Sequence, residues 1–116
     1  MTVQYDPENR EKVVTKLPAV LRRELKVRAA QLGVDIKDAV TEGIHAWRSQ
    51  SELLPAVDTT GAEPFATYLP AGLYSDFKAD CTARGVAYNQ GMAQSIRLWL
   101  DTHPAPKGCP VTAGRG

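Results

Sequence analysis

The side chains able to do covalent or metal chemistry are few and scattered. The chain has two histidines, His45 and His103, and two cysteines, Cys81 and Cys109. Neither histidine stands with an acid and a nucleophile in the way general-base catalysis requires. Neither cysteine belongs to a CxxC pair or lies near a pair of histidines, so a zinc site and a structural disulfide are not expected. Cys81 reads as a small apolar residue on a helix face. No enzyme activity and no cofactor are expected. What the sequence does arrange is positive charge. From Asn9 to Arg48 nine lysines and arginines stand against five carboxylates, a net +4, whereas from Ser49 onward five cations face six carboxylates. The first half is the candidate surface for a polyanion, which it would hold by ion pairing and hydrogen bonds.

The elements that must position these charges follow from periodicity. "KVVTKL" alternates, with Val13, Thr15 and Leu17 on one side and Lys12, Val14 and Lys16 on the other, as a half-buried strand does. Pro18 suits the first turn of a helix. After it Leu21, Leu25, Ala29 and Leu32 recur every three or four residues until Gly33, the residue best able to end a helix in the left-handed conformation. Asp35 is placed to cap a second helix whose stripe is Ile36, Ala39, Val40, Ile44 and Trp47.

The same unit is written again 52 residues on without a gap. Thr15 matches Thr67, Leu17 matches Leu69, Pro18 matches Pro70, Gly33 matches Gly85 and Trp47 matches Trp99. The second copy runs "FATYL", then Leu73, Phe77 and Cys81, a stop at Gly85, then Tyr88, Met92, Ile96 and Trp99, with Ala87 where Asp35 stood. Matched positions are mostly apolar, glycine or proline, so a scaffold has been duplicated and not a surface. Trp47 and Trp99 close equivalent apolar stripes and read as core. A unit of about 35 residues buries too little alone, and its lone strand leaves both edges unpaired. Two strands paired antiparallel over four helices answer both needs. The organisation expected is a flexible arm over 1–10, copy 1 over 11–48, a linker over 49–62 in which a helical turn can open the stretch, copy 2 over 63–101, and a flexible tail over 102–116.

The order strand, helix, glycine turn, helix, the 16-residue spacing from Leu17 to Gly33 repeated from Leu69 to Gly85, and the segment "LRRELKVRAAQLGVDIKDAVTEGI" resemble the ribbon-helix-helix DNA-binding proteins of the Arc/MetJ type. The resemblance covers residues 11–48 and 63–100. It implies a mainly α fold with a short antiparallel β-ribbon, two ribbon-helix-helix units forming an intrachain pseudo-dimer. It further implies that the ribbon enters the major groove of double-stranded DNA, where Lys12, Val14 and Lys16 of copy 1 and Ala66 and Tyr68 of copy 2, beside Pro64, meet the bases. Read from residue type alone, the two lysines are either base-reading donors or solvated strand charges, and Tyr68 either a donor or a strand former. The second anchor implied is a phosphate at the start of each second helix, over Val34, Asp35, Ile36 and Lys37, and over Ala87, Tyr88 and Asn89. The Asp35 carboxylate opposes a phosphate there. Arg22, Arg23, Lys26 and Arg28 are spread around the first helix, so one or two can reach the DNA backbone.

Within that family, a plasmid partition protein that binds a centromere and works with a partner ATPase, or a transcriptional autorepressor, is the leading expectation, with cooperative self-association on repeated sites. An antitoxin or a conjugative DNA-processing accessory factor is the alternative, the short tail "DTHPAPKGCPVTAGRG" lacking the apolar anchors of a partner-folding segment. A small protein-interaction module without DNA binding is the alternative from another class. The 43% hydrophobic and 23% charged composition, with no apolar run near the roughly 18 residues of a membrane span and no secretion signal in "MTVQYDPENREKVVTKLP", suggests a cytoplasmic, bacterial-type protein associated with nucleoid or plasmid DNA.

Overall fold

Two strands of nine residues, β1 (Arg10–Pro18) and β2 (Ala62–Pro70), share one burial pattern and pair antiparallel. In each, alternate side chains enter the interior: Val13, Thr15 and Leu17 from β1, and Phe65, Thr67 and Leu69 from β2. The computed structural model describes residues 5, 6 and 8–106. Cys109, most of the expected tail and part of the expected arm lie outside them. The strands are followed by α1 (Ala19–Leu32) and α2 (Ile36–Arg48), and by α3 (Leu73–Arg84) and α4 (Tyr88–Thr102). No helix among the described residues is long and apolar enough to cross a membrane.

Local chemistry ends the elements where expected. Gly33 and Gly85 adopt φ of 69° and 70°, and the following amides of Val34 and Val86 turn back to the carbonyls of Ala29 and Cys81 at 2.9 and 2.8 Å. That is the Schellman closure of a helix, and a side chain at either glycine would be strained. Pro18 is the last residue of β1, and α1 starts at Ala19. The second copy starts its helix later, at Leu73, because Gly72 takes a φ of 90°.

The expectation of two ribbon-helix-helix units joined as a pseudo-dimer is corrected here. The chain forms one globule with one core, to which both halves contribute: Leu17, Leu25, Val40, Ile44 and Trp47 lie in the same cluster as Leu69, Phe77, Met92, Ile96 and Trp99. Neither half has a sheet of its own, since the only strand pairing is β1 with β2, and α2 packs most extensively on α4. The mainly α character with a short antiparallel ribbon does agree with the structure. A stripe of 35 residues cannot exclude water from both its faces, so the two stripes meet and fuse. Tyr88, expected on the α4 stripe, is 45% exposed. Cys81 is fully buried, and desolvation pushes its thiol up to about 11.

The α2–α4 contact is close because both helices present small residues. A Cβ added at Gly43 would lie 2.6 Å from the backbone oxygen of Ser95, which occupies the same repeat position in α4. One added at Gly91 would lie 2.7 Å from Cys81 Sγ and 3.1 Å from Phe77 Cζ. Around this contact the tryptophans bridge the halves reciprocally. Trp47 Nε1–H donates to Gln94 Oε1 and Trp99 Nε1–H to Glu42 Oε1, each at 2.9 Å, and Gln94 and Glu42 are again repeat equivalents. Both rings are about 1% exposed, in keeping with core roles.

The linker is irregular over residues 49–61 but is fastened to α4. Gln90 accepts from the Val57 amide and donates to its carbonyl, and Gln94 Nε2 donates to the carbonyls of Leu54 and Pro55. Near the other end of the described chain, Tyr5 donates to Asp76 at 2.5 Å and accepts from Arg48, which also pairs with Asp80 at 2.6 Å.

Alanine at either helix glycine should gain up to about 1 kcal/mol in helix propensity and lose about 1–3 kcal/mol to overpacking, so urea unfolding should show both variants destabilised. The obstacle at Gly91 is a side chain and that at Gly43 is backbone. Gly91→Ala combined with Cys81→Ala should therefore be less destabilised than the sum of the single variants, whereas no side-chain truncation should rescue Gly43→Ala.

Candidate nucleic-acid interface

The outer face of the ribbon follows from the period of two. With Val13, Thr15 and Leu17 inward, Lys12, Val14 and Lys16 are outward, and all three are exposed, Val14 at 59%. The register places Lys12 opposite Tyr68, Val14 opposite Ala66 and Lys16 opposite Pro64, and these partners are exposed as well. Because position 66 is position 14 of the repeat, the central pair joins a residue to its own equivalent, and the outer pairs exchange roles about it. Lys12 and Lys16 stand about 13 Å apart along the strand at ~3.3 Å per residue. Neither makes an ion pair among the described residues.

The starts of the second helices flank this face. α4 packs against β1 and α2 against β2. On the β1 side, the Asn89 side-chain oxygen accepts the Thr15 hydroxyl at 2.9 Å and the Lys16 amide at 3.3 Å. Asn89, expected to meet phosphate, thus spends its oxygen as a brace on β1 and keeps its amide NH2 as a donor. The first turn of α4 holds no acid, and Ala87 at its N-cap supplies no competing side chain. Tyr88 beside it is half covered by Lys78, whose Nζ sits 5.8 Å from that ring and 5.0 Å from the ring of Tyr74.

On the β2 side, Asp35 occupies the N-cap position of α2, yet its carboxylate makes no capping hydrogen bond. It lies 3.5 Å from Lys37 Nζ, an exposed pair. The side-chain cap expected at Asp35 is corrected to a backbone one: its carbonyl accepts from the amides of Asp38 and Ala39. Val34 and Ile36 are half-buried against the core. Arg10 spans from the Tyr68 carbonyl at 3.0 Å to Asp38 at 3.1 Å and ties the first turn of α2 to the ribbon.

Each helix start leaves amides without an intrahelical acceptor and carries roughly half a positive charge, a site suited to an anion. At α2 that charge is opposed by Asp35 and Asp38. At α4 it is unopposed, and α4 is the helix beside the lysine-bearing strand.

The remaining candidates fall elsewhere. Arg28 donates to the carbonyls of Leu100 and His103 at 3.1 and 2.6 Å and so finishes the C-terminal end of α4. Arg84 does the same for α2 through Trp47 and Arg48, with its guanidinium 4.5 Å from the Trp47 ring. His103 stacks on Trp99 at 4.6 Å and faces Glu42 at 3.4 Å. His45 lies beside Tyr5, and burial and then Arg48 push its pKa down. Among the described residues no three of His, Cys, Asp and Glu are grouped to hold a metal. The braces of Asn89 and Gln94 escaped the sequence reading. A hint of the second was there, since Gln94 and Glu42 share a repeat position five residues before a tryptophan.

Asn89→Ala should leave the nearly buried Thr15 hydroxyl and the Lys16 amide without their acceptor and cost about 1–3 kcal/mol. In hydrogen exchange the Lys16 amide should lose protection first; unchanged protection there would show that the brace does not operate in solution.

No protein-family model, no curated protein and no solved structure matches the chain. Its function is argued from the ribbon, the helix starts beside it and the residues that carry the resemblance to the ribbon-helix-helix family.

Proposed function

We propose that the chain binds double-stranded DNA in a sequence-specific way, with its β-ribbon in the major groove. The observation that carries this reading is the convergence of Lys12, Lys16 and the acid-free start of α4 on one side of the ribbon. A major groove about 12 Å wide admits a two-stranded ribbon. In it the lysines donate to guanine O6 and N7, Val14 meets a thymine methyl and the Tyr68 hydroxyl takes a base or phosphate. The amides opening α4 and the NH2 of Asn89 hold one phosphate, and Lys37 offers a weaker contact at α2 against Asp35. The resemblance to the ribbon-helix-helix family supports the same assignment. In the cell this is the chemistry of a plasmid partition protein with a partner ATPase, or of an autorepressor, with neighbouring molecules cooperating on repeated sites.

The second reading is a protein-interaction module without DNA binding. It is favoured by Val20 and Val27, which stand 66% and 51% exposed on α1.

Fluorescence anisotropy with a 30-base-pair duplex separates the two. Binding should weaken steeply with salt, and the Lys12→Ala, Lys16→Ala double variant should lower the slope of log K against log salt by about 2, at roughly 0.9 per phosphate contact. A folded double variant that binds as well as the parent would refute the ribbon assignment. A parent that binds neither the duplex nor heparin at low salt would favour the interaction module.

A further inference from the structure

Three of the four helix-one cations converge in the fold. Arg22, Arg23 and Lys26 line one cleft with Ala19 and Glu63, while Arg28 is engaged at the end of α4. Glu63 pairs with Leu17, next to the Lys16–Pro64 pair, so the cleft adjoins the Lys16 end of the ribbon. The acid does little to satisfy the cations. Arg22 Nη1 is 3.9 Å from Glu63 with both side chains largely solvated, and ion pairs of this kind contribute little. Arg23 and Lys26 make no ion pair among the described residues.

The cations are also badly placed for the helix itself. The first turn of α1 carries no acid, and Arg22 and Arg23 stand at its positive end, the reverse of what the helix dipole favours. α3, by contrast, has Asp76 in its first turn. A local arrangement that costs stability without a compensating contact inside the protein is a signature of a functional site.

The repeat supplies an internal control. The same positions of copy 2 are Ala71, Tyr74, Ser75 and Lys78 with Glu11, at the other end of the ribbon. There Glu11 accepts the Gly72 amide at 3.1 Å and Lys78 lies over two tyrosine rings. Three cations and one acid at one end thus correspond to one of each at the other.

We propose that the cleft at the start of α1 is a phosphodiester-binding site that grips the DNA backbone beyond the Lys16 end of the ribbon, and beyond that end only. The inference rests on the ribbon reading. A ribbon lying in the groove brings what flanks its ends toward the bordering phosphates, and here one flank is ready for an anion and the other is not. The protein therefore sits on DNA with a fixed polarity, its footprint extended on one side.

The test uses the full chain and the same 30-base-pair duplex. The Arg22→Ala, Arg23→Ala, Lys26→Ala triple variant should lower the salt slope by about 2 to 3 and weaken binding at least about tenfold near 0.1 M salt. Lys78→Ala, at the mirror position, should change affinity less than about twofold. The triple variant should melt no lower than the parent, because it loses no buried contact; a triple replacement by glutamine, which keeps the aliphatic stems, must show the same loss of binding. A triple variant with an unchanged slope, while Lys12→Ala, Lys16→Ala weakens binding, would overturn this site and leave the ribbon reading standing. A parent that does not bind the duplex would remove both. If the triple substitution abolished sedimentation with anionic lipid vesicles but left duplex binding intact, the cleft would be a membrane site and the proposal would fall.

Discussion

The antiparallel pairing of β1 with β2 about Val14 and Ala66 is the constraint on which the rest of the molecule depends. Those two residues hold the same place in the repeat, so their pairing fixes a local two-fold relation between the copies. A slip of one residue would turn Val13, Thr15 and Leu17 to solvent and bring Lys12 and Lys16 into the core, which burial energetics forbid. Once the register is fixed, α4 must lie against β1 and α2 against β2, and the backbones of α2 and α4 meet where Gly43 faces Ser95. The reciprocal tryptophan hydrogen bonds then fall on Glu42 and Gln94 as a matter of geometry.

The copies diverge where their surroundings differ. Gln94 is buried beneath the linker and must accept from Trp47 while donating to Leu54 and Pro55, which a neutral amide can do and a carboxylate cannot. Glu42, in the same place on the other side, is exposed and faces His103, so a charge costs little there. The carbonyl ends of α2 and α4 are each closed by an arginine from the other half, Arg84 and Arg28, but from positions that are not equivalent in the repeat. The need is symmetric and the solutions are separate.

How much of this was legible depends on the range of the interaction. Alternation in "KVVTKL", the stripes of α1 and α2, the stops at Gly33 and Gly85 and the burial of both tryptophans are local consequences of residue type and period, and all stand in the structure. The error of two separate units came from treating the repeat as a boundary. Apolar stripes announce that burial is needed, but not whose stripe will meet them, and here each copy finds its core in the other. The spread of cations around α1 was equally misleading: Arg28 and Arg22 are six residues apart, and only docking decides that one closes α4 while the other lines an open cleft. Asn89 and Asp35 show the same limit. Each has the type expected at a helix start, yet what it bonds is set by a strand or a lysine nearby.

The exchange of partners also redistributes charge in a way that the linear order hides. In sequence, the first half is basic and the second nearly neutral. In space, the lysines of β1 stand beside α4, whose first turn has no acid, and β2 stands beside α2, which opens with Asp35 and Asp38. The contrast between copies therefore becomes a contrast between the two edges of one ribbon, sharpened because the basic strand of copy 1 adjoins the open helix start of copy 2. Had each strand lain beside its own second helix, the carboxylates of α2 would have faced Lys12 and Lys16 and cancelled part of their field. A duplicated scaffold can divide attraction and repulsion between its two edges in this way because its halves complete each other instead of folding apart.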